Sequence, residues 1–215
     1  GEAITCPRSH RFIATWDPLH FVLAIDPESV TAVPGHTGRL DYCLLSGYQM
    51  LAETLATGET AGDRIRASKE VVDRWCADHP ELVVHFEFAS TQDRAVRARL
   101  LAEMSGWADS IGLNEQELAD VLEVAGETDL AAACRRPGGS VELLAGLRRV
   151  FELSGVPRIQ LHFFGLYVTL QAHDWRHTPE QTRNGMTLAA TVAASKAGTG
   201  SIDTLDSRGL DRMAL

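Results

Sequence analysis

Between residues 40 and 164, short apolar runs alternate with longer segments of helical periodicity, and this alternation limits the fold more than anything else. Leu40-Asp41-Tyr42-Cys43-Leu44-Leu45 is a mostly apolar run closed by Ser46-Gly47. Leu82 to Phe88 is the clearest strand, Ser110 to Leu113 is a short one, and Arg158 to Phe164 is a fourth, with Tyr167 to Ala172 as its partner. Near-continuous apolar strands are buried on both faces, and strands separated by single helices are joined by crossovers rather than hairpins. The expected fold is α/β, a mainly parallel sheet with helices on both faces.

The helices expected between and after the strands have their own signals. Asp63 to Asp78 places Ile65, Val71, Val72, Trp75 and Cys76 at helical offsets and stops at Pro80. Thr91 caps a helix running to Ala108, and Asn114 caps one from Glu115 to about Val124, whose early acids suit the positive end. Val141 to Leu153 is ended by Gly155, and Thr178-Pro179-Glu180 opens a last helix stopped by Gly198. Tyr48 to Ala56 is a weaker helix candidate, and Gly126 to Ser140 reads as a polar connection. Ahead of the sheet, Arg11 to Ala14 and Phe21 to Ile25 read as short strands around the Asp17-Pro18 turn, with a loop from Val33 to Gly38. The resulting division is a β segment over 1–38, an α/β domain over 39–200 and a polar tail over 201–215.

Net charge is -9, from 29 acidic and 20 basic residues, which argues against a nucleic-acid partner held by backbone charge. No apolar run approaches the ~20 residues of a membrane helix, so no membrane partner is expected. Cys6, Cys43, Cys76 and Cys134 form no close pair and read as reduced thiols of a cytoplasmic protein.

Ligands of parallel sheets bind beyond the carboxyl ends of the strands. His85 and Glu87 stand two apart near such an end and therefore share a face. Buried together, they are either an internally hydrogen-bonded pair or a metal or phosphate site. Asn114 and Glu117 follow the next strand, at i and i+3 around a helix start. They form a capping box, a phosphate-binding helix start, or both. Two carboxylates ending successive strands suit one Mg²⁺ over a phosphate chain, because that ion takes hard oxygen ligands. His173-Asp174-Trp175-Arg176-His177 has the i, i+4 histidine spacing of zinc sites but precedes the Thr178 cap, so a loop is expected. His162 reads as a core or cleft histidine. No Gly-x-Ser-x-Gly occurs, Cys43 and Cys134 lack an evident base, and Gly35-His36-Thr37-Gly38 lacks the Walker spacing and lysine.

His85-Phe86-Glu87 resembles the HxE motif, and Asn114-Glu115-Gln116-Glu117 the NxxE motif, of the ADP-dependent sugar kinases, the glucokinases and phosphofructokinases. Ser9-His10-Arg11-Phe12-Ile13 resembles that family's arginine-containing entry strand. Ser46 to Gln49, His85 to Ser90, Ile111 to Leu118 and Arg158 to Tyr167 follow in the family's order, and the likeness runs from residue 6 to 200.

The resemblance implies a ribokinase-like fold, with residues 1–38 derived from or connected to the lid. It implies transfer of the β-phosphate of ADP to a hydroxyl of a sugar or sugar phosphate, with Mg²⁺. Glu87 and Glu117 would organise the metal, Asn114 and His85 would attend the nucleotide phosphates, and Arg11 would lie near the transferred phosphate or sugar. Family members are longer, and their GxGD motif, whose Asp takes the hydroxyl proton, falls beyond this chain. The nearest match is Gly198-Thr199-Gly200-Ser201. A fragment, one part of a split enzyme and a non-catalytic nucleotide- or sugar-binding relative all fit that departure. Self-association, or pairing with a complementary segment, is expected if apolar surface is left open.

Overall fold

The structure is a computed structural model that describes residues 23–36, 40–91, 93–163 and 166–200. Its elements in chain order are α1 Pro27–Ala32, β1 Tyr42–Leu45, α2 Ala61–Asp78, β2 Val83–Glu87, α3 Arg94–Met104, β3 Ser110–Leu113, α4 Glu115–Val124, α5 Thr128–Cys134, α6 Ser140–Ser154, β4 Arg158–Phe163, β5 Leu166–Gln171 and α7 Pro179–Thr199. They form a 5-stranded sheet in the order β1-β2-β3-β4-β5. β1 to β4 are parallel, and β5 returns antiparallel beside β4.

The strand order explains the layering. Each parallel strand is added on the same side of its predecessor, and right-handed crossovers then place every connecting helix on one face. Phe86, Ile111, Leu113, Ile159 and Leu161 point to that face and pack with Ile65 of α2, Leu100 and Met104 of α3, Leu118 and Leu122 of α4, and Leu147 of α6. Val84 joins Val72 and Trp75 of α2 in an adjoining cluster. The opposite face carries Tyr42, Leu44, His85, Glu87, Ser110, Gly112, Arg158, Gln160 and His162, as the strand register dictates. After the β4–β5 hairpin the chain returns to this face as α7. Thr182 hydrogen-bonds Gln171 at 2.8 Å, and Thr169 lies 3.0 Å from the Met186 sulfur. Helices thus lie on both faces, with the apolar core on one and a polar surface on the other.

Several local expectations need correction. Residues 1–22, and with them the strand expected at Arg11–Ala14, lie outside the described residues. Leu23 to Ile25 is a turn and irregular chain, not a strand, and α1 follows because Asp26 accepts the N–H groups of Glu28 and Ser29 ahead of Pro27. Val33–Gly35 is a 3₁₀ turn rather than loop. Tyr48–Met50 is only a 3₁₀ turn, and Thr54 bridges Thr60 instead of continuing a helix.

Asp93, not Thr91, caps α3, since its Oδ1 accepts from Ala95 and Val96. The connection from Gly126 contains α5, whose Ala131 and Cys134 fill the gap between α4 and α6. α7 passes through Gly198 and ends at Gly200, which holds φ 77 as its C-cap. The Asn114, Gly155 and Thr178 caps form as read, with Thr178 and Gln181 completing a capping box.

Candidate functional site

β2 is paired on both sides, so His85 and Glu87 project together from the polar face. Register sets Ser110 beside His85 and Arg158 beside Ser110. One row further on, Gly112 lies beside Glu87 and Gln160 beside Gly112. The side chains follow this grid. His85 Nδ1 is 2.9 Å from Ser110 Oγ, and Nε2 is 3.2 Å from Glu87 Oε2. The other carboxylate oxygen of Glu87 is 3.7 Å from His162 Nε2. Glu87 leans over Gly112 so closely that a Cβ there would stand 1.9 Å from Oε2.

β3 runs directly into α4, and the junction supplies the second carboxylate. Asn114 Oδ1 accepts the N–H groups of Gln116 and Glu117, each at 2.9 Å. Glu117 Oε2 accepts the Asn114 N–H at 2.8 Å, which completes the capping box. Glu117 Oε1 faces the Ser90 hydroxyl at 3.4 Å. The side chain is buried, and that burial pushes its pKa above the usual glutamate range. The nearby Glu87 charge raises it further, while the Asn114 N–H and His162 oppose the shift. The two carboxylates are therefore electrostatic neighbours, and a cation beside them would relieve their repulsion.

Among the described residues, no three His, Cys, Asp or Glu side chains converge as an all-protein cation cage. Mg²⁺ at a phosphate does not require one. It keeps several waters and takes one or two carboxylates together with phosphate oxygens. A carboxylate pair at a helix start fits that donor set, and the unpaired N–H groups there favour phosphate.

The structure brings His85, Glu87, Asn114 and Glu117 together, while Arg11 lies outside the described residues. Ser110, Gly112, Arg158 and Gln160 were not singled out from the sequence. Their common face is evident only once β2, β3 and β4 are aligned side by side. Arg158 donates to Ser110 Oγ at 2.8 Å and to Gln160 Oε1 at 2.5 Å. With Tyr42, His85, Tyr167 and Met186, Arg158 and Gln160 line a cavity of about 450 Å³ beneath α7. His162 proves to be a cleft residue beside Glu87. The His173–His177 segment is a loop, as read, and His177 Nε2 lies 3.2 Å from the Tyr42 hydroxyl. Cys43, Cys76 and Cys134 are free thiols. Burial pushes Cys43 up to about 11, with the Cys76 thiol adding to the shift, and burial also raises Cys134, so neither is an activated nucleophile.

Over residues 1–212 the sequence matches the ADP-specific phosphofructokinase/glucokinase conserved region. The chain belongs to this family. It is 29% identical over 212 residues to an ADP-specific phosphofructokinase of Methanosarcina acetivorans, covering 95% of this chain and 42% of that protein. It is 33% identical over 204 residues to an ADP-dependent glucose/glucosamine kinase of Pyrococcus abyssi, covering 94% of this chain and again 42% of the relative. The chain thus spans less than half the length of these kinases. Its fold superposes on a solved ADP-dependent kinase complexed with fructose-6-phosphate and ADPβS, with a TM-score of 0.80, 29% identity, and coverage of 88% of this chain and 42% of that one. A last common ancestor of ADP-dependent phosphofructokinases from Methanosarcinales gives a TM-score of 0.81 at 29% identity, covering 88% and 40%. The α/β architecture is accordingly the ribokinase-like one of these kinases. No helix among the described residues is long and apolar enough to cross a membrane.

Proposed function

We propose that this chain carries the metal- and phosphate-handling half of an ADP-dependent sugar kinase, which moves the β-phosphate of ADP to a hydroxyl of a hexose or hexose phosphate. The observation that carries the reading is the meeting of Glu87 and Glu117. Glu87 ends β2, Glu117 lies in the first turn of α4 just after the neighbouring β3, and the Glu87 charge acts on the Glu117 carboxyl. Membership of the kinase family agrees with it.

In this reading Glu87 and Glu117 hold Mg²⁺ directly or through water. The ion, when bound, neutralises charge on the phosphates, the dominant requirement of phosphoryl transfer. Asn114 holds the helix start at the phosphates, its Oδ1 fixing the first turn. His85 orients Glu87, and the family resemblance assigns Arg11 to the transferred phosphate or sugar. The reading carries a cytoplasmic location. The outward Tyr42 and Leu44 of strand β1, 48% and 67% exposed, support self-association or pairing with further chain.

Thermal unfolding with Mg²⁺ plus ADP, ATP, AMP or no nucleotide tests the site. A ligand at about 100 times its Kd stabilises by about 2.7 kcal/mol, several degrees in a domain of this size. The largest shift is expected with Mg·ADP, and Glu87→Gln is expected to remove its Mg²⁺-dependent part. No shift with any nucleotide would reject the site. Mg·ADP binding without sugar phosphate formation would instead favour a kinase-like binding protein.

A further inference from the structure

We propose that Arg158 and Ser110 are positioning residues that act through His85 to aim the Glu87 carboxylate. The inference rests on the reading of Glu87 as a Mg²⁺ ligand. A guanidinium only donates, so Ser110 Oγ must accept from Arg158 Nη1 at 2.8 Å. The Ser110 hydroxyl proton then turns to another acceptor, and His85 Nδ1 lies 2.9 Å away. With Nδ1 accepting, the imidazole carries its hydrogen on Nε2. That N–H points at Glu87 Oε2, 3.2 Å distant.

The opposite tautomer would set a bare Nε2 lone pair against a carboxylate oxygen. It would also leave the proton of a fully buried serine without its acceptor. Gln160 Oε1, 2.5 Å from Arg158 Nη2, fixes the other arm of the guanidinium, so the chain starts from a held donor. Burial lowers the Arg158 pKa, and the partners of this guanidinium among the described residues are the neutral Ser110 and Gln160 oxygens. Its position therefore serves hydrogen bonding rather than an ion pair. The relay crosses three adjacent strands along one register row, Arg158–Ser110–His85, and ends on Glu87 one pleat further along. Gly112 leaves open the space into which the carboxylate leans. A carboxylate held on one oxygen by a fixed N–H presents its remaining lone pairs in a set direction. Outer partners of this kind alter metal affinity by about 10- to 100-fold.

The test reads the tautomer and the metal separately, in the full chain. Long-range ¹H–¹⁵N spectra of His85 at neutral pH are expected to show the Nε2–H tautomer. In Ser110→Ala they should show a mixture or the Nδ1–H form. Calorimetric titration of ADP with and without Mg²⁺ should show the Mg²⁺-dependent gain falling about tenfold or more in Ser110→Ala and Arg158→Gln. ADP binding without metal should fall by less than this Mg²⁺-dependent gain. Arg158→Lys, which keeps a cationic donor, should recover most of the gain. An Nδ1–H or doubly protonated His85 in the unaltered chain overturns the proposal. So does a Ser110→Ala chain that retains both the tautomer and the Mg²⁺ dependence while Glu87→Gln loses that dependence. If Glu87→Gln itself leaves Mg²⁺ dependence untouched, the metal reading fails and the positioning role falls with it.

Discussion

Gly112 shows how one missing side chain can shape a site. It sits in the middle strand of the sheet, buried, with Glu87 Oε2 where its Cβ would be and His85 Nε2 3.0 Å from that point. The atoms it would strike belong to side chains, so Gly112→Ala displaces the carboxylate and imidazole rather than the strand. The expected result is an unchanged circular dichroism spectrum with at least a tenfold loss of Mg²⁺-dependent ADP affinity, in the range seen when carboxylate supports are removed. Full affinity in Gly112→Ala would show that Glu87 functions without leaning over this position. Glycine at 112 was visible in the sequence, but nothing there said that a glutamate two residues from a histidine on another strand would occupy its space.

The helices on the apolar face are ordered by close approach as much as by periodicity. Gly146 in α6 faces Cys134 of α5 and Leu122 of α4, and an added Cβ would meet the sulfur at 2.8 Å and Leu122 Cδ1 at 3.0 Å. Gly146→Ala would improve intrinsic helix propensity by about 1 kcal/mol. It would also force two fully packed side chains aside, at a cost of about 1–3 kcal/mol. The crowding is expected to win, so chemical unfolding should show a net destabilisation; a stabilised variant would mean that α5 yields freely. The same crowding explains why α5 escaped sequence reading. Its short Thr128–Cys134 span lacks a side-chain cap, and its two buried alanines and cysteine gain meaning only against α4 and α6. α4, by contrast, was legible to the residue, because Asn114 and Glu117 satisfy each other's backbone groups within one turn.

The two faces of the sheet differ in how firmly they are built. Five helices seal one face around a continuous apolar core, whereas α7 covers the other with only Ala194 and Ser195 buried among its described side chains. α7 is held at its start by polar links. Gln171 Nε2 donates to the His177 carbonyl at 2.7 Å, and Arg176 donates to the Glu81 carbonyl at 2.8 Å and to its carboxylate at 2.6 Å. Local opening costs least where little apolar surface is buried. Hydrogen exchange followed by mass spectrometry should therefore release the amides of α7 well before those of α4 and α6. Equal protection would mean that α7 is covered by more than this sheet.

Strand and helix periods, caps and the spacing of His85, Glu87, Asn114 and Glu117 are local properties, written in a few consecutive residues, and they sufficed for the parallel α/β fold and its kinase resemblance. The connection of Glu87 to Arg158 through Ser110 is not local. It depends on which strands are neighbours, on a register that aligns residues 25 and 48 positions apart in the chain, and on a glycine that leaves room. Hydrogen-bond direction across a sheet exists only after the strands have paired, so that part of the site was decided by packing.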